Sequence, residues 1–347
     1  MNRRLAVAAV LIVAGAAPAR AALINVRDYP SPAAAFAAAH PGDRVYFPSP
    51  GPYQAPTGGW KISKSLEIFG DGVGDETLTG SSGIVPDDEG SAFVLDSTKT
   101  LGNVYIHDLL VRRDSPGAGP RDAIHGVMPD GGRSVFIGIR LERMTFISLA
   151  HDAIHLDGGA RNGLLLVNIA DCQANSCLGS GLVLRNCTTT TVTGGYYHAN
   201  MHFGIFAQNA GIKLYGAALE GNQSVGASND YESQLRLQTC HAFLVEGCHF
   251  EEFSDDVHPA KTAISVINCW GGRISSTLFY KNGAGNRGSR GIFISGGSRN
   301  ISVDANDWAL IDTLVSVKPF DGNTGCKVEP QTVLSTDARA AGRVVLP

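Results

Sequence analysis

Charge is scarce in this chain. Only 17% of its 347 residues are Asp, Glu, Lys or Arg, and the formal net charge is −4. Basic residues never form a run beyond the pairs Arg3-Arg4 and Arg112-Arg113. Binding to a nucleic-acid backbone needs clustered Lys and Arg, so that partner class is excluded. Long apolar runs are also missing. Beyond the N-terminal segment nothing reaches ~18 uninterrupted apolar residues, which excludes a spanning helix in the rest of the chain. Helical periodicity is missing as well, because the apolar positions do not recur at a 3.6-residue spacing over long windows.

Glycine, by contrast, is abundant, with 42 residues. Turn-rich β architecture needs such residues where the backbone takes positive φ. A repeat explains the need. Pairs of a small residue or Gln followed by an aliphatic one occur at Ala123-Ile124, Ala153-Ile154, Gly181-Leu182, Gly204-Ile205, Gln234-Leu235, Ala263-Ile264 and Gly291-Ile292, at intervals of 30, 28, 23, 30, 29 and 28 residues. A fixed period of that size without helices predicts a solenoid with one coil per repeat. The fold class is all-β, a single-stranded right-handed parallel β-helix. A second template recurs at Ile106-x-x-Leu109-x-Val111, Leu141-x-x-Met144-x-Phe146, Val245-x-x-Cys248-x-Phe250 and Ile274-x-x-Thr277-x-Phe279. It is read as the second strand of each coil, facing the core.

The first 21 residues read as a processing segment. Arg3 and Arg4 precede the apolar stretch from Leu5 to Ala17, and Ala19-Arg20-Ala21 is an A-x-A cleavage site. The mature chain is expected to be exported, periplasmic or secreted. Residues 22–64 are assigned to an N-terminal cap and first strands, 65–326 to the β-helix, and 327–347 to a C-terminal cap or tail. The Ala-rich run from Pro32 to His40 is expected to form a short capping helix, started at Ser31 or Pro32 and stopped by Pro41-Gly42. It would cover a tube end that otherwise exposes strand edges.

The stretch Ile24-Asn-Val-Arg-Asp-Tyr29, the Ala-rich run, Gly42-Asp-Arg-Val-Tyr-Phe-Pro48, Gly51-Pro-Tyr53 and Ser65-Leu-Glu-Ile-Phe-Gly-Asp-Gly72 resembles the N-terminal cap and first coils of the pectate-lyase-like right-handed parallel β-helix superfamily. The likeness is closest to the branch with polysaccharide-degrading enzymes and phage tailspikes, and it extends as a repeat over roughly residues 24–325. Pro30-Ser-Pro32 stands where that superfamily often carries an acidic, Gly-rich segment. The resemblance implies the fold and a carbohydrate partner. A homo-oligomer is a further expectation from the resemblance.

Seven cysteines are present. Cys187, Cys240 and Cys269 each lie five residues after a repeat anchor, where other coils carry Gly159, Ala210 and Gly297. Cys172 and Cys248 share another register. This pattern suits buried thiols acting as small hydrophobes. A Cys240–Cys269 bridge is the alternative, and the odd count leaves one thiol without an intrachain partner.

Candidate chemistry clusters in a near repeat, Arg121-Asp-Ala-Ile-His-Gly126 and His151-Asp-Ala-Ile-His-Leu-Asp-Gly158. With Ile124 and Ile154 inward, His125 and His155 point outward on adjacent coils, with Asp157 on the same face. Asp122 and Asp152 stack where each strand begins. Arg185, Gln208 and Arg236 follow in neighbouring outward columns, and Tyr231 is a candidate for stacking on a sugar ring. These groups suit polysaccharide lyase chemistry, with His155 as base, His125 supporting it or acting as acid, Asp157 orienting His155 or binding a hydroxyl, and Arg185 and Arg236 neutralising a uronate carboxylate. A glycoside hydrolase or transglycosidase using Asp122, Asp152 or Asp157 is the second reading. A non-catalytic glycan-binding or adhesive solenoid is the third. No metal or other cofactor is assigned. Ca²⁺ at Asp87-Asp-Glu89 or at Asp255-Asp256 with His258 is a weaker alternative to solvated acidic turns.

Overall fold

Residues with left-handed backbone, many of them Gly, Asn, Asp or Ser, turn the chain at regular places, and apolar residues fill the space between the turns. In a computed structural model the result is a right-handed parallel β-helix. The structure describes residues 21–87, 90–113, 122–129, 134–161, 163–222, 233–251, 262–280, 289–309, 311, 313–318 and 322–329, with the backbone alone at 332–333 and 343–345. Each regular coil contributes three strand segments. Two of them belong to a 21-stranded sheet because Leu182–Thr193 and Ile205–Tyr215 run through both, and the third forms a separate 11-stranded sheet. Every strand pairing is parallel. Among the described residues no helix is long and apolar enough to cross a membrane.

The repeat anchors form one interior ladder. Ile124 pairs with Ile154, then Leu182, Ile205, Leu235, Ile264 and Ile292 follow coil by coil, all fully buried. Register is fixed because a one-residue slip would turn each of these side chains to solvent.

The second template differs from its expected form. Ile106 and Val111 do not share a strand: Leu101–His107 and Leu110–Arg112 lie in different sheets. The two-residue step between Ile106 and Leu109 is a corner, with Asp108 at φ 54, and later coils place Arg143 (φ 47), Gly247 (φ 64) and Ser276 (φ 52) there. The step therefore breaks simple alternation, and both halves still face the core. Beyond the corner Phe250, Phe279 and Trp308 stack with ring centroids 5.3 and 4.2 Å apart.

The capping helix spans Pro32–Ala38, and the Ser31 hydroxyl accepts from the Ala34 amide at 3.2 Å. Phe36 drops from it onto Phe47, Trp60 and Phe93. The tube end is thus closed by an aromatic plug. At the far end the ladders continue past Cys326 through Lys327–Val328, Thr332–Val333 and Arg343–Val345.

All seven cysteines are free thiols, and six are buried. Cys187 pairs with Ala210 at a corner of the tube. Farther along the same corner the Cys240 amide donates to Cys269 Sγ at 3.3 Å, and the Cys269 amide to Ser298 Oγ at 3.1 Å. The corner position in that coil is Ser298, not Gly297, because Gly296 and Gly297 both take positive φ and delay the turn by one residue.

Candidate functional site

Strands Ile124–Val127 and Ile154–Asp157 lie side by side, with Cα partners His125↔His155 and Val127↔Asp157. Ile124 and Ile154 point in, so both imidazoles point out, with ring centroids 6.0 Å apart. Gly126 follows His125 on the inner face, where a Cβ would meet Leu156 at 2.8 Å and Leu95 at 2.9 Å. Two leucines from neighbouring coils thus fill the space under the histidine.

Asp122 and Asp152 sit one residue before the small-aliphatic pair of each coil. They are not solvent-facing carboxylates, with side chains only 3% and 6% exposed. Three imidazoles close over them. His125 Nδ1 lies 2.7 Å from Asp122 Oδ2, and His151 Nδ1 lies 2.5 Å from Asp122 Oδ1. His155 Nδ1 lies 3.2 Å from Asp152 Oδ2 and 3.5 Å from Asp122 Oδ2. The Ser180 amide anchors Asp152 through Oδ1 at 2.6 Å. A carboxylate can only accept. Each Nδ1 bonded to one therefore carries hydrogen, and in the neutral ring Nε2 is left with its lone pair facing away from the carboxylates. Exposure grades the three rings, with 16% for His155, 26% for His125 and 43% for His151.

The electrostatics follow from this packing. Burial would raise the Asp122 pKa, but hydrogen bonds from His125 and His151 and the charges of His155 and His151 more than offset it, and it falls to about 2. The hydrogen bond to Asp122 raises the His151 pKa, against the opposing effect of burial. One donor atom from each of Asp122, His151, Asp152 and His155 lies within 4.8 Å of the others. Such a mixed N/O set suits a divalent transition ion, and the hydrogen bonds already described satisfy the same atoms without one.

The sequence points to Asp157 as orienting His155 or binding a sugar hydroxyl. The groups beside His155 Nδ1 are instead Asp152 and Asp122. Asp157 Oδ1 accepts from the Gly159 amide at 2.8 Å and from Asn186 Nδ2 at 2.8 Å, so it braces its own turn and the next coil. The paired-carboxylate reading changes too, because Asp122 and Asp152 lie beneath the histidines. His151 is the residue that sequence reasoning passed over. Its signal was in the His151-Asp-Ala-Ile-His155 string, where it precedes the strand.

Arg185 is the Cα partner of Asp157 on one side and Gln208 on the other, and Gln208 faces Gln238. Arg185 stands 5.2 Å from the Phe206 ring, and Arg236 stands 5.6 Å from both Phe206 and Phe203. Phe206, outward by register, is therefore covered by guanidinium groups within the chain. Arg236 also donates to Gln238 Oε1 at 2.9 Å. Arg185 Nε is buried without a hydrogen-bond partner. Tyr231 lies outside the described residues, as do Arg121, Asp88, Glu89, Asp255, Asp256 and His258.

Comparison with known proteins agrees with the architecture. The right handed beta helix region family matches residues 126–308. No curated protein matches the chain. Among solved structures, ORF18 of Geobacillus virus E2 is similar over 90% of this chain and 62% of its own, at 14% identity and TM-score 0.60. This chain thus spans under two thirds of that protein's length. DFA-IIIase from Arthrobacter chlorophenolicus A6 without its lid, in complex with GF2, is similar over 91% of this chain and 90% of its own, at 15% identity and TM-score 0.61. An alginate lyase from Paenibacillus sp. str. FPU-7 is similar over 94% of this chain and 98% of its own, at 13% identity and TM-score 0.52.

Proposed function

The chain belongs to the right-handed beta helix family, and from that premise we propose that it is an exported enzyme that cleaves an acidic, uronate-containing polysaccharide by β-elimination at its histidine face. The observation that carries the reading is the set of three outward imidazoles, each with Nδ1 turned to a buried carboxylate. That arrangement presets the tautomer and leaves Nε2 as a base, the logic by which a buried Asp orients a catalytic histidine. The alginate lyase and the DFA-IIIase among the structural neighbours favour carbohydrate chemistry on this scaffold.

In the proposed reaction His155 Nε2 takes the proton beside the uronate carboxylate. The electron pair forms the ring double bond, and the bond to the glycosidic oxygen at the next carbon breaks. That oxygen takes a proton from His125 or His151. His151 suits the acid role, because Asp122 holds it toward the protonated form. Arg185 supplies charge-assisted hydrogen bonds to the uronate carboxylate, with Gln208 beside it and Arg236 one column over. Asp152 and Asp122 position the rings and do not touch the sugar.

A panel of acidic and neutral polysaccharides, read by both unsaturated-product absorbance and reducing ends, tests the reading. The expected result is absorbance with acidic glycans, lost in His155→Ala with folding intact. Reducing ends without absorbance, lost in Asp152→Ala and kept in His155→Ala, would replace the lyase with a hydrolase that uses Asp122, Asp152 or Asp157. Glycan binding without any turnover would leave a non-catalytic adhesive solenoid.

A further inference from the structure

The 11-stranded sheet carries a second histidine–carboxylate cluster, on a different sheet from the histidine face. Strands Ala218–Glu220 and His249–Glu251 pair with Cα partners Ala218↔His249 and Glu220↔Glu251. Leu219 and Phe250 are the buried residues of these strands, so alternation turns Glu220, His249 and Glu251 outward together. One donor atom from each of the three lies within 4.8 Å of the others.

Two features point to a ligand at their common focus. Glu220 and Glu251 are directly opposite on adjacent coils, roughly 4.8 Å apart by strand spacing, and like charges so placed repel. The His249 Nε2 atom is buried, on a side chain 37% exposed, and faces Glu251 Oε2 as an ion pair at 3.3 Å without hydrogen-bond geometry. A nitrogen so placed has the position of a metal ligand. Tyr196, one coil earlier, donates to Glu220 Oε2 at 2.5 Å and fixes that carboxylate as an outer-sphere partner.

We propose that Glu220, His249 and Glu251 bind a divalent transition cation of the Zn²⁺, Mn²⁺ or Co²⁺ class, tying consecutive coils together on the side sheet. An imidazole with two carboxylates favours such ions over Ca²⁺, which prefers an all-oxygen shell. Three protein ligands leave the remaining positions to water. This site stands apart from the glycan reading, and neither depends on the other.

The rival for any bound metal is the Asp122–His151–Asp152–His155 cluster, so the experiment separates the two. Chelator-treated full-length protein is titrated with Zn²⁺ by calorimetry and with Co²⁺ by visible absorbance, and melting is followed with and without Zn²⁺. The expected result is a Zn²⁺-binding event that raises Tm. It should weaken more than about tenfold in His249→Ala and in Glu220→Gln, and persist unchanged in His151→Ala. Glu220→Gln keeps the side-chain size and serves as the variant should His249→Ala fail to fold, with circular dichroism of the metal-free protein as the check. No binding of either ion, binding unaltered by the Glu220 and His249 changes, or binding lost only in His151→Ala would each overturn the proposal.

Discussion

Asp122 is the residue on which the histidine face depends. It takes hydrogen bonds from two imidazoles and lies 3.5 Å from a third. Asp122→Asn keeps the shape but replaces a two-oxygen acceptor with one acceptor and one donor group. Nδ1–H then loses its partner and the rings can adopt the other tautomer. The expected loss is about 10³–10⁴ in kcat, by analogy with a buried Asp that orients a catalytic histidine, with little change in KM, as initial rates on the identified glycan will show. The stability effect has a definite sign. The Asp122 pKa is depressed in the folded state, from 3.8 to about 2. Its contribution is therefore fully present above the ordinary carboxylate pKa and is lost as pH falls from about 4 to about 2, amounting to about 2 kcal/mol. Urea unfolding of wild type and Asp122→Asn should differ at neutral pH and converge near pH 2. His151 acts in the opposite direction. Its pKa is raised in the fold, so its contribution is complete below the unfolded imidazole value and fades as pH rises through the folded one.

At the scale of elements, a typical strand segment is only a few residues long and has no stability alone. Its interior side chain is held by the same position in the coils on either side. Phe279 illustrates this, lying between Phe250 and Trp308 with both rings within 9° of parallel. Phe279→Ala opens a cavity in the middle of the stack, and the neighbours cannot close it without shifting register. The expected cost is about 3–5 kcal/mol, seen as a lower Tm. The histidine face lies on the other sheet, so weaker thermal stability with an unchanged kcat at low temperature is the expected pairing. A large loss of kcat at temperatures where the variant is fully folded would show that the two sheets are coupled.

At the scale of the whole molecule, a repeat architecture without disulfides relies on a continuous core. Burial pushes the Cys172 and Cys177 thiols up to about 12, and Cys187 and Cys248 up to about 11. Such thiols are poor nucleophiles and are shielded as well. A thiol reagent applied to native protein should modify at most the half-buried Cys326 quickly, while all seven react after unfolding. Rapid native labelling of Cys187, Cys240 and Cys269 would mean that the tube opens at this corner. Mass spectrometry of labelled peptides distinguishes the two.

The sequence by itself determined the coil period, the interior ladder from Ile124 to Ile292, the capping helix and the outward direction of His125 and His155. These are local quantities: a repeat length, an alternation of two and a helix start signal. Only the tertiary structure decided what the outward residues meet. Asp122 and His151 are far apart along the chain and come together because one coil separates them in space. The sequence showed Asp157 close to His155 but not that its carboxylate turns back to the Gly159 amide, which is a matter of side-chain rotamer and corner geometry. The corner at Ser298 was displaced by one residue for a similar reason, since Gly296 and Gly297 both take left-handed backbone. The side-sheet cluster of Glu220, His249 and Glu251 was likewise invisible, because no motif links a Glu to a His-x-Glu across a coil until the strands are stacked. Alternation fixes which side a residue faces, while the stacking of coils and the turn between them fix its neighbours.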